Sequence, residues 1–153
     1  MKILLVNDDG IKAEGLKAIA KELSLKHEVF IVAPMTEQSG MSQALTMGVP
    51  LRVETVDMKM KNVTAYAVEG TPADCTKLAL EFLLKEKPDL IISGINNGAN
   101  LGTDVLYSGT GGAALEGYNH KISSIALSVS SKSNVSFSTI AKVMADMISF
   151  FYN

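Results

Sequence analysis

Three stretches of this chain carry side chains able to do chemistry. The first is Asn7-Asp8-Asp9-Gly10, directly after an apolar run at residues 2–6. Two carboxylates within about 4 Å repel by up to about 4 kcal/mol at an effective dielectric near 20. A cation relieves that repulsion, and carboxylate oxygens are hard ligands suited to Mg²⁺ or Mn²⁺. The alternative is a plain strand-to-loop turn closed by Asx side chains. The second stretch holds Ser39 beside Gly40 and Ser42. A hydroxyl there can ligate a metal, donate to a phosphate oxygen, or simply face water. The third is Ser93-Gly94-Ile95-Asn96-Asn97-Gly98-Ala99-Asn100, followed by Ser108-Gly109-Thr110-Gly111-Gly112. Asn offers a neutral carbonyl ligand or an amide donor, and glycine lets a backbone approach closely. A helix opened by Ser108, Gly109 and Thr110 presents free N–H groups and partial positive charge, which suits phosphate. Simple capping by either hydroxyl is the competing reading.

These residues need a frame that brings them together. Residues 2–6 and 28–33 read as strands, and residues 14–24 as a helix with Leu16, Ile19, Ala20 and Leu23 on one face. Residues 34–49 form a long loop, of the kind that is often functional. Residues 51–56 and 63–68 read as a hairpin. Thr71, Pro72 and Asp74 make a capping box, followed by an apolar stripe of Cys75, Leu78, Ala79, Phe82 and Leu83. Pro88 ends that helix. A strand at 89–93, a loop at 94–107, a helix at 108–119 and a strand at 122–128 follow. A last helix at 138–152 shows Ile140, Val143, Met144, Met147, Ile148 and Phe151 on one face. The alternation predicts an α/β, Rossmann-like three-layer fold: a mainly parallel sheet, helices on both faces and an added β-hairpin. Ligands in such sheets bind beyond the carboxyl ends of the strands. Residues 7–10, 34–48 and 93–110 all fall there.

Composition excludes several classes. The chain has 153 residues, 14 Lys plus Arg and 16 Asp plus Glu, a net charge of −2. That balance gives no basic footprint for a nucleic-acid polymer and no polybasic membrane patch. One cysteine excludes an internal disulfide and a cysteine-built zinc site. No apolar run approaches a membrane span and no signal h-region is present, so a soluble cytoplasmic protein is expected. Cys75 reads as packing, His27 and His120 as surface residues, and the eight Met as core-like. Gly109 to Ala114 fits G-x-G-x-x-A, but it lies outside the first βα unit and lacks the following acidic residue. A phospho-receiver needs an Asp at the later strand end, where Ser93-Gly94 stands, and a dehalogenase-type phosphatase needs Asp-x-Asp. The chain's last residues, Phe150-Phe151-Tyr152-Asn153, read either as rings packed on the sheet or as a face covered by further chain.

Taken together, the strings Lys2-Ile3-Leu4-Leu5-Val6-Asn7-Asp8-Asp9-Gly10, Val32-Ala33-Pro34 with Ser39-Gly40, Gly70-Thr71-Pro72-Ala73-Asp74-Cys75, Ser93-Gly94-Ile95-Asn96, Asn100-Leu101-Gly102 and Tyr107-Ser108-Gly109-Thr110 resemble the SurE (stationary-phase survival protein) family. The resemblance implies a metal-dependent phosphatase that hydrolyses nucleoside 5′-monophosphates, with 3′-monophosphates and polyphosphate as further substrates. It implies one divalent metal ion, Mg or Mn, on Asp8, Asp9, Ser39 and Asn96. Ser108, Gly109 and Thr110 would bind phosphate, with Asn7 and Asn96 helping to stabilise its charge. Asp8 or Asp9 would act as base or attack directly. Gln38 stands where the family often has Arg, Ala99 where it often has Pro. Family members are longer and assemble as homodimers or tetramers through a C-terminal exchange arm. Residues 1–153 are therefore expected to be a single α/β catalytic domain lacking that C-terminal part. The alternative is a non-catalytic fragment that binds nucleotide or phosphate, or that serves dimerisation.

Overall fold

The computed structural model describes residues 1–152. Asn153, in the terminal run singled out above, lies outside the described residues. The first strand explains the rest of the architecture. In β1 (Lys2–Val6), Ile3, Leu4, Leu5 and Val6 are all fully buried. A strand covered on both faces needs no polar alternation, hence the unbroken apolar run. Ile3 and Leu5 join one core, Leu4 and Val6 the other. Each such side chain stabilises the fold by about 1.5–3 kcal/mol.

Around β1 the other strands are β2 (Glu28–Pro34), β3 (Val53–Val56), β4 (Val63–Val68), β5 (Leu90–Asn97) and β6 (Ser124–Val129). Their order is β3-β4-β2-β1-β5-β6. All neighbouring pairs are parallel except β3 with β4, which is the expected hairpin. Its first strand starts at Val53, two residues later than the sequence suggested. The helices are α1 (Glu14–Leu23), α2 (Pro72–Leu78), α3 (Gly109–Asn119) and α4 (Phe137–Phe151). α1 packs with α4 on one face and α2 with α3 on the other, giving the three-layer Rossmann-like α/β fold. Chain order runs outward from β1 on one side through β2 and β4, then on the other through β5 and β6. The topological switch point therefore falls between β1 and β5.

Four local expectations are corrected. After α2, residues Ala79–Leu83 widen into a π turn. More residues per turn let the apolar stripe slip, so Phe82 ends up 75% exposed while Cys75 and Ala79 stay buried. β5 continues through Gly94 to Asn97, past the expected end at 93, because Asn96 and Asn97 pair with Ser128 and Val129 of β6 across an irregular register. The Gly- and Asn-rich composition reads as loop, yet the backbone has a ladder partner. On α4, Ala141, Met144 and Ile148 are buried against α1, whereas Val143, Met147 and Phe151 remain exposed. Met47 is likewise 81% exposed rather than core. Among the described residues, no helix is long and apolar enough to cross a membrane.

Candidate active site

β1 delivers Asn7, Asp8 and Asp9 to the carboxyl edge of the sheet, beside the switch point. Asn7 is fully buried, and its Nδ2 donates to the Gly10 carbonyl at 2.9 Å. Its Oδ1 is buried with no hydrogen-bond partner. Asp8 is buried, and its Oδ1 accepts from the Thr110 hydroxyl at 2.7 Å. Thr110 is itself fully buried in the first turn of α3. Gly109 lies directly against Asp8. A Cβ at that position would sit 2.9 Å from the Asp8 Cβ and 3.1 Å from Pro72 Cγ, so the contact requires glycine. Asp9 is half-buried, and its Oδ2 accepts from the Asn97 backbone N–H at 3.2 Å.

The 36–48 loop closes over this edge and, besides the bonds from the Thr71 hydroxyl to the Ala44 carbonyl at 2.6 Å and from Gln43 Nε2 to Glu116 Oε2 at 2.8 Å, is held at three places. The Gln38 N–H donates to the Asp8 carbonyl at 2.7 Å. Ser42 donates its N–H to the Tyr107 carbonyl at 2.9 Å and its hydroxyl to the Leu106 carbonyl at 2.7 Å. Its own carbonyl lies so close to Gly112 of α3 that any side chain there would collide with it. Third, Asp74 accepts from the Thr46 N–H at 2.9 Å and the Thr46 hydroxyl at 2.6 Å. The same carboxylate closes the capping box of α2, accepting from the Thr71 N–H at 2.9 Å. Such a cap is worth about 1 kcal/mol to the helix. Here it also fastens the loop.

The predicted site residues thus fall into two groups. Asp8, Gly109 and Thr110 touch one another, and Asp9 touches the end of β5, where Asn96 sits. Asn96 commits its Nδ2 to the Gly98 carbonyl at 2.9 Å, so its carbonyl oxygen is the atom it can offer. Ser39 is exposed and reaches the site through its neighbour Gln38; its hydroxyl donates to Glu37 Oε1 at 2.6 Å. Ser108 caps α3, its oxygen accepting from the Gly111 N–H at 3.0 Å. Neither histidine joins the site, and both are half-buried rather than fully exposed. His120 Nε2 lies 3.3 Å from Glu116 Oε1.

Electrostatics set this edge apart. Burial pushes the Asp8 carboxyl above its usual range, against the opposing pull of the Thr110 hydroxyl. Burial also raises Asp9, with the Asn97 N–H opposing and the Asp8 charge reinforcing it. Glu37 adds a further unfavourable charge to both. Glu37 was missed in the sequence; the signal was a carboxylate two residues before Ser39 in the same strand-end loop. Asp74 was read only as a cap, because its second role depends on Thr46 arriving from 28 residues away. No group of three or more His, Cys, Asp or Glu among the described residues could hold a metal by itself. A metal would therefore need neutral oxygens beside the two aspartates. The residues fit that demand: two adjacent carboxylates whose ionised form burial disfavours, an orphaned buried amide oxygen on Asn7, and the oxygens of Asn96 and Ser39. An all-oxygen donor set of this kind suits a hard divalent cation.

The chain is similar to known proteins over almost its whole length. The family model "Survival protein SurE" matches residues 3–153. The "5'-nucleotidase SurE" of Thermosipho melanesiensis is 50% identical over 148 residues, covering 97% of this chain and 58% of that protein. The "5'-nucleotidase SurE" of Pelotomaculum thermopropionicum is 49% identical over 153 residues, covering 100% of this chain and 59% of the relative. The crystal structure of the Sure protein from Aquifex aeolicus superimposes with a TM-score of 0.88 at 41% identity, covering 98% of this chain and 59% of that one. The chain thus spans a little under three fifths of the length of the relatives it matches. With a family model across nearly its whole length and relatives at half identity, this chain belongs to the SurE family.

Proposed function

We propose that residues 1–153 form the catalytic α/β unit of a divalent-metal-dependent phosphatase acting on nucleoside 5′-monophosphates, with 3′-monophosphates and polyphosphate as secondary substrates. The observation that carries this reading is the Asp8–Asp9 pair at the switch point, with raised carboxyls pressed further by Glu37. Relatives named 5'-nucleotidase support the substrate class.

Asp8, Asp9, Asn96 and Ser39 would hold Mg²⁺ or Mn²⁺, with Asn7 Oδ1 as a further acceptor close by. When bound, the ion supplies Lewis-acid polarisation of a phosphoryl oxygen. The chain's own groups do the rest. The start of α3 lies beside Asp8, and its Gly109 N–H and helix dipole would stabilise negative charge on the phosphoryl group, the Gly111 N–H being already taken by the Ser108 hydroxyl. Gly109 lets Asp8 pack directly against the start of α3, where a Cβ would collide with it. Thr110 holds Asp8 in one orientation through a buried hydrogen bond. Asp8 is thereby a fixed ligand, which leaves Asp9, the less buried and less constrained carboxylate, to take the proton of an attacking water.

The test is phosphate release from AMP with Mn²⁺ or Mg²⁺, with and without chelator, alongside the melting temperature in each condition. Metal-dependent release together with a metal-dependent rise in melting temperature is expected. Binding of nucleotide without release would favour the non-catalytic reading instead.

A further inference from the structure

We infer that Glu116 is a positioning residue of the site: through Gln43 it fixes the segment carrying Ser39 against α3, so that the Ser39 hydroxyl can join Asp8, Asp9 and Asn96 on one ion. This rests on the metal-dependent reading and adds a residue that touches neither metal nor substrate.

Glu116 is one of three buried charged side chains among the described residues, at 6% exposure. Asp8 belongs to the site, and Asp74 caps α2 and fastens Thr46. Glu116 has no such local reason to be buried. It lies in the last turn of α3, where the helix dipole disfavours a carboxylate. A carboxylate kept from water needs partners for its oxygens. Its Oε2 accepts from Gln43 Nε2 at 2.8 Å and from Asn119 Nδ2 at 3.5 Å, and its Oε1 faces His120 Nε2 at 3.3 Å. Asn119 and His120 are neighbours at the same helix end. Gln43 comes from the 36–48 loop, 73 positions away. A hydrogen bond to an ionised acceptor is stronger than one between neutral groups.

α3 is shaped to receive that segment. Gly112 stands four residues before Glu116, on the same side of the helix. The Ser42 carbonyl rests on Gly112, where any Cβ would collide with it. Ser42 has φ +53°, a left-handed conformation that a non-glycine residue keeps when its surroundings impose it. Its N–H and hydroxyl are tied to the Tyr107 and Leu106 carbonyls. Gln43, the next residue, is tied to Glu116. Gly112 thus makes room for the turn, and Glu116 grips it.

Ser39 depends on that grip. It is exposed, and its hydroxyl donates to Glu37 of the same loop. Gly40 beside it has φ +72° and open space where a Cβ would stand. The place of this stretch is set by its two flanking anchors. One is the Gln38 N–H on the Asp8 carbonyl at 2.7 Å, and the other is Ser42 with Gln43 on α3. Weakening the second lets Ser39 drift, while Asp8 and Asp9 stay at the end of β1.

The test measures Mn²⁺ affinity of the chain by calorimetry and exchange of the Ser42 amide by NMR. Gln43→Ala changes no charge, so no altered field acts on the ion. It is expected to weaken Mn²⁺ binding by about 10-fold, the lower end of what losing an outer-shell partner costs. Ser42 exchange should speed up, with the Thr46 amide unchanged. In a Ser39→Ala background the same substitution should cost no further Mn²⁺ affinity, because Gln43 acts through Ser39. Gln43→Glu sets two carboxylates face to face and should also speed Ser42 exchange. Adding Glu116→Gln reverses donor and acceptor and should return exchange to the parent rate. Unchanged Mn²⁺ affinity in Gln43→Ala, an equal loss without Ser39, or no rescue by the exchanged pair would overturn the positioning role. A parent chain that binds no Mn²⁺ would refute the metal reading and the role toward the ion with it, whereas the exchange rates still decide whether Glu116 holds the segment.

Discussion

Thr110→Val replaces a fully buried hydroxyl by a methyl of nearly the same volume. It removes the 2.7 Å bond from Thr110 to Asp8 Oδ1 and leaves α3 and Gly109 in place. A hydrogen bond to a charged group is worth about 1.5–3 kcal/mol. Losing it should push the Asp8 carboxyl further above its already raised position. The bond matters when Asp8 is ionised. The variant's stability deficit should therefore be full at pH 7 and fade as pH falls through the Asp8 titration. At pH 7, for a chain of this size, the loss corresponds to a melting temperature lower by roughly 3–12 °C. The assay is a carboxyl ¹³C NMR titration of the metal-free protein, read with thermal melts at pH 7 and pH 4. Thr110→Ser keeps the hydroxyl and should restore most of the titration shift. If Thr110→Val leaves the Asp8 titration where it was, the hydroxyl does not hold the carboxylate, and its positioning role is wrong.

Other outcomes follow from the same geometry. Mn²⁺ at 100 times its dissociation constant should stabilise the chain by about 2.7 kcal/mol, seen as a rise of roughly 5–11 °C in melting temperature, and Asp8→Asn should abolish the rise. Asp8 and Asp9 have raised carboxyls in the folded state, so they favour folding most below their ordinary range and lose that advantage as pH climbs through the raised values. Metal-free Asp8→Asn should accordingly match or exceed the parent's stability at pH 7; a clear loss there would contradict the burial argument. Asp74→Ala strands the Thr46 N–H, the Thr46 hydroxyl and the Thr71 N–H, at about 1–3 kcal/mol for each donor that finds no water. Faster amide exchange across 42–48 and weaker phosphate release should accompany it, and unaltered exchange would refute the clamp. Gly109→Ala should displace Asp8 and lower Mn²⁺ affinity, measured by calorimetry, because its new Cβ meets Asp8 and Pro72. Ile148→Ala, at a nearly inaccessible position of α4, should cost about 2–5 kcal/mol in denaturant unfolding without changing metal affinity.

Much of the frame was legible in one dimension because the signals that encode it are local. A run buried on both faces is apolar throughout, and β1 is such a run. Leu16, Ile19, Ala20 and Leu23 recur at helical spacing and are the buried face of α1. Thr71, Pro72 and Asp74 announced the start of α2 within four residues. The adjacent aspartates and the glycine-rich segments were visible as types that cluster where strands end. Phe82 was misjudged because a π turn changed the helical period within one element. Val143, Met147 and Phe151 share apolar character with Met144 and Ile148, but only the latter pair meets α1.

What local pattern could not decide was which distant groups meet. The Thr110 hydroxyl reaches Asp8 across 102 positions, and the Asn97 N–H reaches Asp9 across 88. Those meetings depend on β5 lying next to β1 and on α3 returning over the same edge. Asp74 is a cap by its spacing and a loop clamp only because the chain folds Thr46 onto it. Amino-acid types and their periodicity set the elements and the residues available at their ends. The long-range packing of the sheet set their partners, because contacts across a hundred residues arise from strand order and register, which no window of neighbouring residues contains.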